Sequence, residues 1–326
     1  MRLAIYVERL EETKLALAAQ IGEQDIVTSV PADHGGTFAD YRTLIEKKQR
    51  IEDSGLQLRT VESVPISDRA KLGLPGRERD TDVVCRLIEN LGRAGIGVAC
   101  YNWMAGFGWL RTSLSTRTRG GALSSSYDHW LMADAPQTPF GIVENAQLWD
   151  ALAWFLERVV PVAASVGVRL ALHPDDPPLS PIAGMARIIR SVGALDRVVS
   201  LADNPVNGIT YCQGNFGAMG ADIPATIHHF GATGRLHFAH FRHGAGTVPT
   251  FSETFHDTAG SELKDSMQAF LKSGLDGDIR PDHTPTLAGE SNDNPGYQML
   301  GRLHAVGFMQ GLLSALDTGT LPQVEE

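Results

Sequence analysis

Eight short apolar runs, each with the length and composition of a β-strand, alternate along the chain with stretches of helical periodicity. The predicted strands cover residues 3–7, 25–30, 57–64, 97–102, 169–173, 208–212, 235–242 and 278–282. This alternation is typical of parallel βαβ units, because a parallel strand pair needs a long crossover connection and a helix provides it. Eight units in succession predict an α/β fold with one closed (β/α)8 TIM barrel, and we expect a single domain over residues 1–326.

Helices are predicted where apolar residues recur at the spacing of one helix face. The clearest helix covers residues 146–160, in which Leu148, Leu152, Phe155 and Leu156 share a face. The other predicted helices cover residues 8–20, 40–53, 80–94, 182–192, 221–230, 262–273 and 297–316. With 326 residues, the chain exceeds the roughly 250 of a typical barrel, which leaves room for an insertion.

One long segment interrupts the alternation. Residues 105–141, the lid segment, follow the fourth predicted strand, are rich in Gly, Ser, Thr and Arg, and show no periodicity. Loops of this length are uncommon in compact domains unless they are lids or binding loops. Because the segment leaves the C-terminal end of a strand and contains Phe107, Trp109 and Trp130, we expect an ordered lid over the barrel mouth. A shorter polar loop, residues 243–260, follows the seventh strand on the same face.

Four residues with metal-ligand side chains lie at the C-terminal ends of four predicted strands. They are His173, Cys212, His240 and Asp282. The C-terminal strand ends of a parallel barrel converge on one mouth, so we expect these side chains to form a metal site there. Of the two histidines in the seventh strand, His240 is favoured over His237, because residues three apart point to opposite faces and His240 lies nearer the strand end.

The chemistry of these ligands limits the metal that they can hold. A thiolate with two imidazoles disfavours Mg²⁺ and Ca²⁺ and favours Mn²⁺, Fe²⁺, Co²⁺ or Zn²⁺. Four protein ligands suit a closed tetrahedral zinc site, whereas an octahedral ion would keep two positions open for substrate oxygens. The sequence leaves both geometries open.

Two further residues near the predicted metal site carry exchangeable protons. His283 follows Asp282 directly, and Tyr297 comes after a polar loop at the start of the last predicted helix. A histidine and a tyrosine on either side of a substrate can act as general base and general acid, and the sequence leaves the two roles interchangeable. Arg111 in the lid segment and Arg242 at the end of the seventh strand are candidates to bind a substrate carboxylate through paired hydrogen bonds.

The charge balance and the absence of certain motifs exclude several classes of function. A net charge of −10 argues against nucleic acid or an anionic membrane as partner, and no apolar stretch approaches the length of a membrane span. There is no GxGxxG after a first strand and no GxxxxGK[ST], so no nucleotide cofactor is predicted. Three cysteines, an odd number, suit a reducing compartment, and we expect a cytoplasmic protein.

Seven short motifs contain or flank these candidate residues. They are CYNWM at 100–104, WLRT at 109–112, LHPDDPP at 172–178, NGITYC at 207–212, HFAHFR at 237–242, RPDH at 280–283 and GY at 296–297. At these motifs the chain resembles the mannonate dehydratases, a family within the xylose-isomerase-like group of barrel enzymes. The resemblance runs from about residue 98 to the C-terminus, while the first hundred residues diverge.

The resemblance implies a hydro-lyase of sugar-acid metabolism that converts D-mannonate, in hexuronate catabolism, into 2-keto-3-deoxy-D-gluconate and water. It implies Mn²⁺ or Fe²⁺ as cofactor, held by the four ligand residues already named, with His283 and Tyr297 as the acid/base pair. It adds Asn102 to Arg111 and Arg242 as a contact of the sugar acid. A homodimer is expected from the resemblance alone.

Two other functions remain as alternatives. The same barrel and ion can move a proton between neighbouring carbons, as in a sugar isomerase or epimerase, and product analysis would distinguish that activity. A non-catalytic relative could instead keep the metal for stability and bind a sugar acid. The presence of His283 and Tyr297 argues against this second alternative, because a purely structural zinc site needs no acid/base pair.

Overall fold

The computed structural model describes residues 1–30 and 40–316, which form twelve strands and ten α-helices. In chain order the strands are β1 (Arg2–Tyr6), β2 (Asp25–Ser29), β3 (Gln57–Glu62), β4 (Val98–Asn102), β5 (Ser113–Arg117), β6 (Leu123–Asp128), β7 (Arg169–His173), β8 (Asn207–Cys212), β9 (Leu236–Phe241), β10 (Gly244–Thr247), β11 (Thr250–Glu253) and β12 (Asp278–Pro281). The helices are α1 (Glu12–Gln20), α2 (Tyr41–Glu52), α3 (Asp68–Lys71), α4 (Arg77–Arg93), α5 (Asn145–Val166), α6 (Val192–Leu201), α7 (Gln213–Ala218), α8 (Ile223–Ala232), α9 (Ser261–Lys272) and α10 (Met299–Leu316).

Eight parallel strands close into a barrel in the order β1, β12, β9, β8, β7, β4, β3, β2. Each of the eight predicted strands is present, so the predicted barrel is confirmed. Because all eight run in one direction, their C-terminal ends open at a single mouth. The strand register sets neighbours at that mouth: Asn102 pairs with His173, Cys212 with His240, and His240 also with Arg280.

Two layers of apolar side chains hold the barrel together. Small and aromatic residues form a separate cluster inside it, namely Ala4, Tyr6, Val27, Val98, Cys100, Ala171 and Phe238. A larger cluster packs the strands against the helices, and includes Leu148, Leu152 and Phe155 of α5, which are almost completely buried. Burying one such side chain stabilises a fold by about 1.5–3 kcal/mol, so the helical stripe that predicted α5 also fixes it to the barrel.

A second, antiparallel sheet is built from two separate loops of the barrel. Its strand order is β10, β11, β6, β5. Strands β5 and β6 belong to the lid segment, whereas β10 and β11 belong to the loop that follows β9. Residues 250–252 pair with residues 126–128, which joins the two hairpins. The sequence did not predict these strands, because their Ser, Thr and Gly residues lack apolar alternation; the role of the segment as a lid stays a prediction.

The predicted helix over residues 182–192 is wrong. Ile182 and Met185 exchange two backbone hydrogen bonds across a turn that contains Gly184 at a φ of +79°. A residue in this left-handed conformation interrupts a right-handed helix, so the apolar spacing of the segment does not become helical. Helix α6 begins only after Ser191, whose side chain caps its N-terminus.

Several helix ends also differ from the prediction. The last helix was expected from residue 297 but begins at Met299, so Tyr297 lies in the preceding loop. Helix α1 begins at Glu12, later than predicted, and α4 begins at Arg77, earlier than predicted. Within residues 1–30 and 40–316, no helix is long and apolar enough to cross a membrane.

Candidate functional site

Three of the four predicted metal ligands meet at the barrel mouth. One ligand atom each from His173, Cys212 and His240 lies within 4.8 Å of the other two. The fourth residue, Asp282, is adjacent to them, because its Oδ2 is 3.6 Å from Cys212 Sγ and 3.7 Å from His240 Nδ1. His173 and Cys212 are the last residues of β7 and β8. His240 is the second-last residue of β9, and Asp282 follows β12 directly. The structure therefore brings together the four strand ends that the sequence singled out.

The two histidines are bound in a way that leaves one nitrogen of each ring free. His173 Nδ1 lies 2.7 Å from the carbonyl oxygen of Pro174, so Nδ1 carries the hydrogen and Nε2 keeps the lone pair. His240 Nε2 lies 2.9 Å from Glu62 Oε2, whereas its buried Nδ1 has no hydrogen-bond partner within residues 1–30 and 40–316. Histidines that bind metals commonly donate their other N–H to a carbonyl or carboxylate oxygen. The unpartnered nitrogen of His240 and the orientation of both rings fit a metal ion.

Asp282 is held as a carboxylate by the positive charges around it. Burial alone would raise its pKa, but His283, His240 and the guanidinium groups of Arg280 and Arg242 hold the pKa well below its usual range. Arg280 Nη1 donates to Oδ1 at 3.0 Å, and Arg242 Nε lies 2.7 Å from Oδ2. An ionised oxygen beside two imidazoles and a sulfur is the donor set that a divalent transition ion prefers. For His173, burial lowers the pKa and keeps the imidazole neutral.

Glu62 is a part of the site that the sequence prediction missed. It ends β3, accepts from His240 Nε2, and binds Arg280 through both carboxylate oxygens. Arg280, whose orientation the sequence left open, is buried with its guanidinium 5.2 Å from the Tyr6 ring. The missed signal was the position of an acidic residue at a strand end. The predicted strand continued past Glu62 to residue 64 and so placed it inside an apolar run.

The predicted acid/base pair, His283 and Tyr297, is joined by a hydrogen bond. His283 Nε2 lies 2.9 Å from the Tyr297 hydroxyl, and His283 Nδ1 lies 2.7 Å from Glu253 Oε1. Burial, together with the charge of Asp282, raises the pKa of Tyr297 well above its usual value, so the phenol keeps its proton. In the neutral pair, Tyr297 therefore donates and His283 Nε2 accepts.

The imidazole of His283 is enclosed on two sides. The Trp109 ring of the lid segment lies against it, with 4.8 Å between ring centroids. Gly296 lies close enough that a Cβ there would be 3.2 Å from His283 Cβ and Cγ, and its φ of +84° also favours glycine. A cavity of about 80 Å³ remains at the mouth, lined by this pair and the candidate ligands His173, His240 and Asp282.

Arg111 and Arg242 do not line this cavity. Arg111 donates to both oxygens of Asp176, at 2.6 and 2.9 Å, and to Glu253. Arg242 donates to Asp176, Glu253 and Asn215. Protein oxygens thus already accept from the Nη groups of both arginines, and the predicted contact with a substrate carboxylate stays a prediction. Asp176, from the LHPDDPP motif, and Glu253 are the partners that the prediction lacked.

Asn102 lines the cavity, and its orientation is determined by its neighbours. Its Oδ1 accepts from Lys71 Nζ at 3.0 Å and from the backbone N–H of Met104 at 3.1 Å. The amide nitrogen is thereby left to donate a hydrogen bond elsewhere, which agrees with the predicted contact to a substrate. Lys71 has no carboxylate partner within hydrogen-bond distance among the described residues, and burial lowers its pKa to about 8.

Known proteins match this chain over nearly its whole length. A family model described as D-mannonate dehydratase (UxuA) matches residues 1–140 and 137–322, so the match includes the first hundred residues, in which the motifs had indicated divergence. Mannonate dehydratase of Thermotoga maritima is 34% identical over 348 aligned residues, which cover 96% of each chain. Mannonate dehydratase 2 of Halalkalibacterium halodurans is 33% identical, with 94% of this chain and 97% of the relative covered.

Solved structures agree with the sequence relatives. The mannonate dehydratase from Streptococcus suis serotype 2 has a TM-score of 0.90 and 28% identity, with 97% of this chain and 95% of that chain covered. D-psicose 3-epimerase from Clostridium cellulolyticum H10 has a TM-score of 0.62 at 14% identity and covers 97% of this chain and 100% of its own. At that identity the epimerase shows a shared barrel fold and no more.

Proposed function

The chain belongs to the D-mannonate dehydratase family, and we propose that it is a hydro-lyase that converts D-mannonate into 2-keto-3-deoxy-D-gluconate and water. One observation in the site carries this proposal beyond family membership. The hydrogen-bonded pair of His283 and Tyr297, 2.9 Å apart, lines the same cavity as the candidate ligands His173, His240 and Asp282. A base and an acid beside a metal site are what removal of a proton and a hydroxide from neighbouring carbons requires.

His173, Cys212, His240 and Asp282 are the residues proposed to hold the metal ion. Their mixture of nitrogen, sulfur and oxygen donors fits a first-row divalent ion, and we propose Mn²⁺ or Fe²⁺ because the family resemblance implies either. When bound, such an ion would withdraw charge from substrate oxygens and make the hydrogen on C2 of the sugar acid more acidic. The buried, unpartnered Nδ1 of His240 supports the site.

His283 is the proposed general base. Its Nδ1–H is donated to Glu253, so Nε2 carries the lone pair that can take the proton from C2. As the C2–H bond breaks, its electron pair becomes the C2=C3 bond and the C3–O bond breaks. Trp109 against the ring limits the access of water to the same nitrogen.

Tyr297 is the proposed general acid. Its raised pKa keeps the phenol protonated, and the proton passes to the C3 hydroxyl, which leaves as water. His283 then holds one proton too many and Tyr297 one too few. The hydrogen bond between His283 Nε2 and the Tyr297 oxygen lets that proton return directly, so the pair is ready for the next turnover. The enol product ketonises to the 2-keto-3-deoxy acid.

The test is turnover of D-mannonate by reduced protein loaded with Mn²⁺ or Fe²⁺, in a panel that includes other hexonates and pentonates. We expect formation of a 2-keto-3-deoxy acid from D-mannonate. Turnover of a different sugar acid alone would keep the dehydration and change the substrate. Absence of a keto acid from every member of the panel would contradict the proposed function.

The two alternatives have less support. The epimerases among the structural neighbours are only 10–14% identical to this chain, so they share the barrel and carry no argument about the reaction. A non-catalytic sugar-acid-binding protein would not need the contact between His283 and Tyr297.

A homodimer and a cytoplasmic location are part of the same proposal. Trp130, Leu131 and Ile142 are large apolar side chains that are mostly exposed, the type of surface that protein contacts often cover. Cys85, Cys100 and Cys212 are all free thiols, which suits a reducing compartment. Light scattering of the purified protein tests the dimer, and cell fractionation tests the location.

A further inference from the structure

Glu253 is a buried carboxylate that belongs to the second sheet and not to the barrel. It ends β11, the strand through which the two hairpins are joined, and 4% of its surface is exposed. Residues of both loops contact its main chain. Gly244 of β10 pairs with Glu253, and Ser124 Oγ of β6 donates to the carbonyl oxygen of Glu253 at 3.0 Å. The position of this carboxylate is therefore set by both loops together.

Among the residues that the structure describes, the Glu253 side chain accepts hydrogen bonds from two arginines and one serine, and its fourth partner is His283. Its Oε1 accepts from Arg111 and Arg242, each at 2.5 Å, and its Oε2 accepts from Ser125 Oγ at 2.6 Å. A carboxylate between two guanidinium groups is ionised, so it can only accept hydrogen bonds. His283 Nδ1, 2.7 Å from Oε1, must therefore carry a hydrogen. In the neutral ring this leaves the lone pair on Nε2, the nitrogen that accepts from the Tyr297 hydroxyl.

We infer that Glu253 is a positioning residue, which selects the Nδ1–H tautomer of His283 and so keeps the lone pair on Nε2, the nitrogen that is to take a proton. The inference rests on the proposed function for its catalytic consequence. It also gives the second sheet a purpose, because that sheet brings the selecting carboxylate to the barrel mouth.

The physical cost of losing Glu253 follows from the chemistry of imidazole. A neutral ring has two tautomers, and without a fixed acceptor it spends part of its time with hydrogen on the nitrogen that should act as base. Loss of an orienting carboxylate beside a catalytic histidine can lower kcat by on the order of 10²–10⁴-fold. Substrate binding does not depend on the tautomer, so KM should change little.

The tautomer can be measured without turnover. In protein loaded with diamagnetic Zn²⁺ and labelled with ¹⁵N-histidine, long-range ¹H–¹⁵N correlations distinguish Nδ1–H from Nε2–H rings. Loss of one set of signals in His283→Asn assigns His283. We expect an Nδ1–H ring in the wild type and a mixed or Nε2–H ring in Glu253→Gln. An Nε2–H ring in the wild type, or an unchanged ring in Glu253→Gln, overturns the inference.

Kinetics provide the second measurement, in protein loaded with Mn²⁺ or Fe²⁺. Glu253→Gln should lower kcat by on the order of 10²–10⁴-fold with KM within about twofold of the wild type. The matched control is Glu262→Gln, since Glu262 also contacts a histidine, His243 Nε2 at 3.1 Å, but is mostly exposed and does not line the cavity. It should leave both constants unchanged. A kcat of Glu253→Gln equal to that of the wild type overturns the inference.

A milder variant covers the case in which Glu253→Gln does not fold. Ser125→Ala removes one neutral hydrogen bond from Oε2 and keeps the carboxylate. It should lower kcat by roughly two- to tenfold at constant KM, and an unchanged kcat contradicts the inference.

The two measurements separate this inference from the proposed function. A tautomer shift in Glu253→Gln without turnover by the wild type supports the positioning role and contradicts the dehydratase proposal. Turnover by the wild type, together with an unchanged tautomer and kcat in Glu253→Gln, supports the dehydratase proposal and contradicts the positioning role.

Discussion

The two clusters of buried charge at the barrel mouth differ in origin. The inner cluster consists of Glu62, His240, Arg280 and Asp282, all in or directly after barrel strands. The outer cluster consists of Arg111, Asp176, Arg242 and Glu253. Only Arg242 of the outer cluster directly follows a barrel strand; the others lie in loops or in the second sheet.

The mouth is thus assembled from two sources, the barrel strands and the loops, and the two clusters meet where Arg242 Nε lies 2.7 Å from Asp282 Oδ2. The barrel fixes the inner cluster through strand register, which places His240 beside Cys212 and Arg280. The outer cluster joins three loops, those that follow β4, β7 and β9, and it contacts His283 through Glu253. The barrel thus supplies the candidate metal ligands, while the loops orient the proposed base. Substitutions in the two clusters should therefore produce different losses.

The largest effect is expected at the inner cluster, where Cys212→Ser replaces a thiolate by a weak neutral ligand. We expect metal content and turnover to fall to background while the fold is retained, because the barrel does not depend on this side chain alone. Inductively coupled plasma mass spectrometry and circular dichroism measure the two quantities. A chelated wild type, reactivated by added Mn²⁺ or Fe²⁺, is the positive control. Full turnover by a metal-free Cys212→Ser protein would refute the ligand assignment.

The next largest effect is expected at the contact between the clusters. His283→Gln removes the proposed base, and kcat should fall on the order of 10²–10⁴-fold with metal content unchanged. Steady-state kinetics with metal analysis check this outcome, and Tyr297→Phe provides the matched loss of the acid. Near-wild-type turnover in His283→Gln would show that another group removes the C2 proton.

Arg111→Met should affect stability more than the metal. It leaves Asp176 and Glu253 buried with less compensation, and breaking such a buried ion pair costs about 3–5 kcal/mol. Urea unfolding measures the free energy of unfolding. Arg119→Met is the control. Arg119 lies 2.8 Å from Asp257 Oδ2, both side chains are partly exposed, and such a pair should contribute no more than about 1 kcal/mol to the free energy of unfolding. Equal losses in the two variants would contradict the distinction between buried and exposed pairs.

A smaller effect is expected from Lys71→Met, which belongs to neither cluster. Without the Lys71 hydrogen bond, Asn102 Oδ1 is held by the Met104 N–H alone, and the amide nitrogen is less firmly oriented toward the cavity. The weaker orientation of this donor should raise KM by roughly two- to tenfold with little change in kcat. Initial-rate kinetics test this. The control is Lys48→Met, which removes the hydrogen bond from Lys48 to the carbonyl oxygen of Ala94. An unchanged KM would contradict a role of Lys71 in orienting Asn102 for the substrate.

The smallest effect is expected at the opposite end of the barrel, where Glu23 precedes β2. Burial raises its pKa to about 7 from an ordinary value of 4.5. The folded chain binds this proton more tightly, so the contribution to stability is present below about pH 4.5 and is lost as the pH rises through 7. Between pH 5 and pH 8, the free energy of unfolding of Glu23→Gln should therefore rise by on the order of 1 kcal/mol relative to that of the wild type. The kcat should not change. Urea unfolding at both pH values checks the sign.

The sequence predicted that the four candidate ligands lie at one mouth, because strand ends carry positional information. The types of His173, Cys212, His240 and Asp282, together with a barrel, were enough to bring four distant residues to one mouth. Glu62 was missed within the same barrel, since the predicted third strand extended two residues beyond the observed end. A one- or two-residue error in a strand boundary changes which side chain occupies the mouth.

The outer part could not be predicted from local patterns. Glu253 lies in a strand whose only signal is pairing with another loop, and no spacing within the sequence encodes that pairing. Arg111 was recognised as a candidate, but its predicted partner was a substrate carboxylate and its observed partners are Asp176 and Glu253. The helix predicted over residues 182–192 was wrong for a different reason. Its apolar residues do recur at helical spacing, but the left-handed conformation of Gly184 interrupts a helix.

The pairing of β6 with β11 has a consequence for protein engineering. The two hairpins leave different barrel strands, β4 and β9, yet share one sheet. A designer who exchanges one loop with that of a relative, in order to change the preferred sugar acid, would break the sheet that carries Glu253. Loop grafts on this scaffold should therefore transfer both hairpins as one unit, even though more than a hundred residues separate them in the chain.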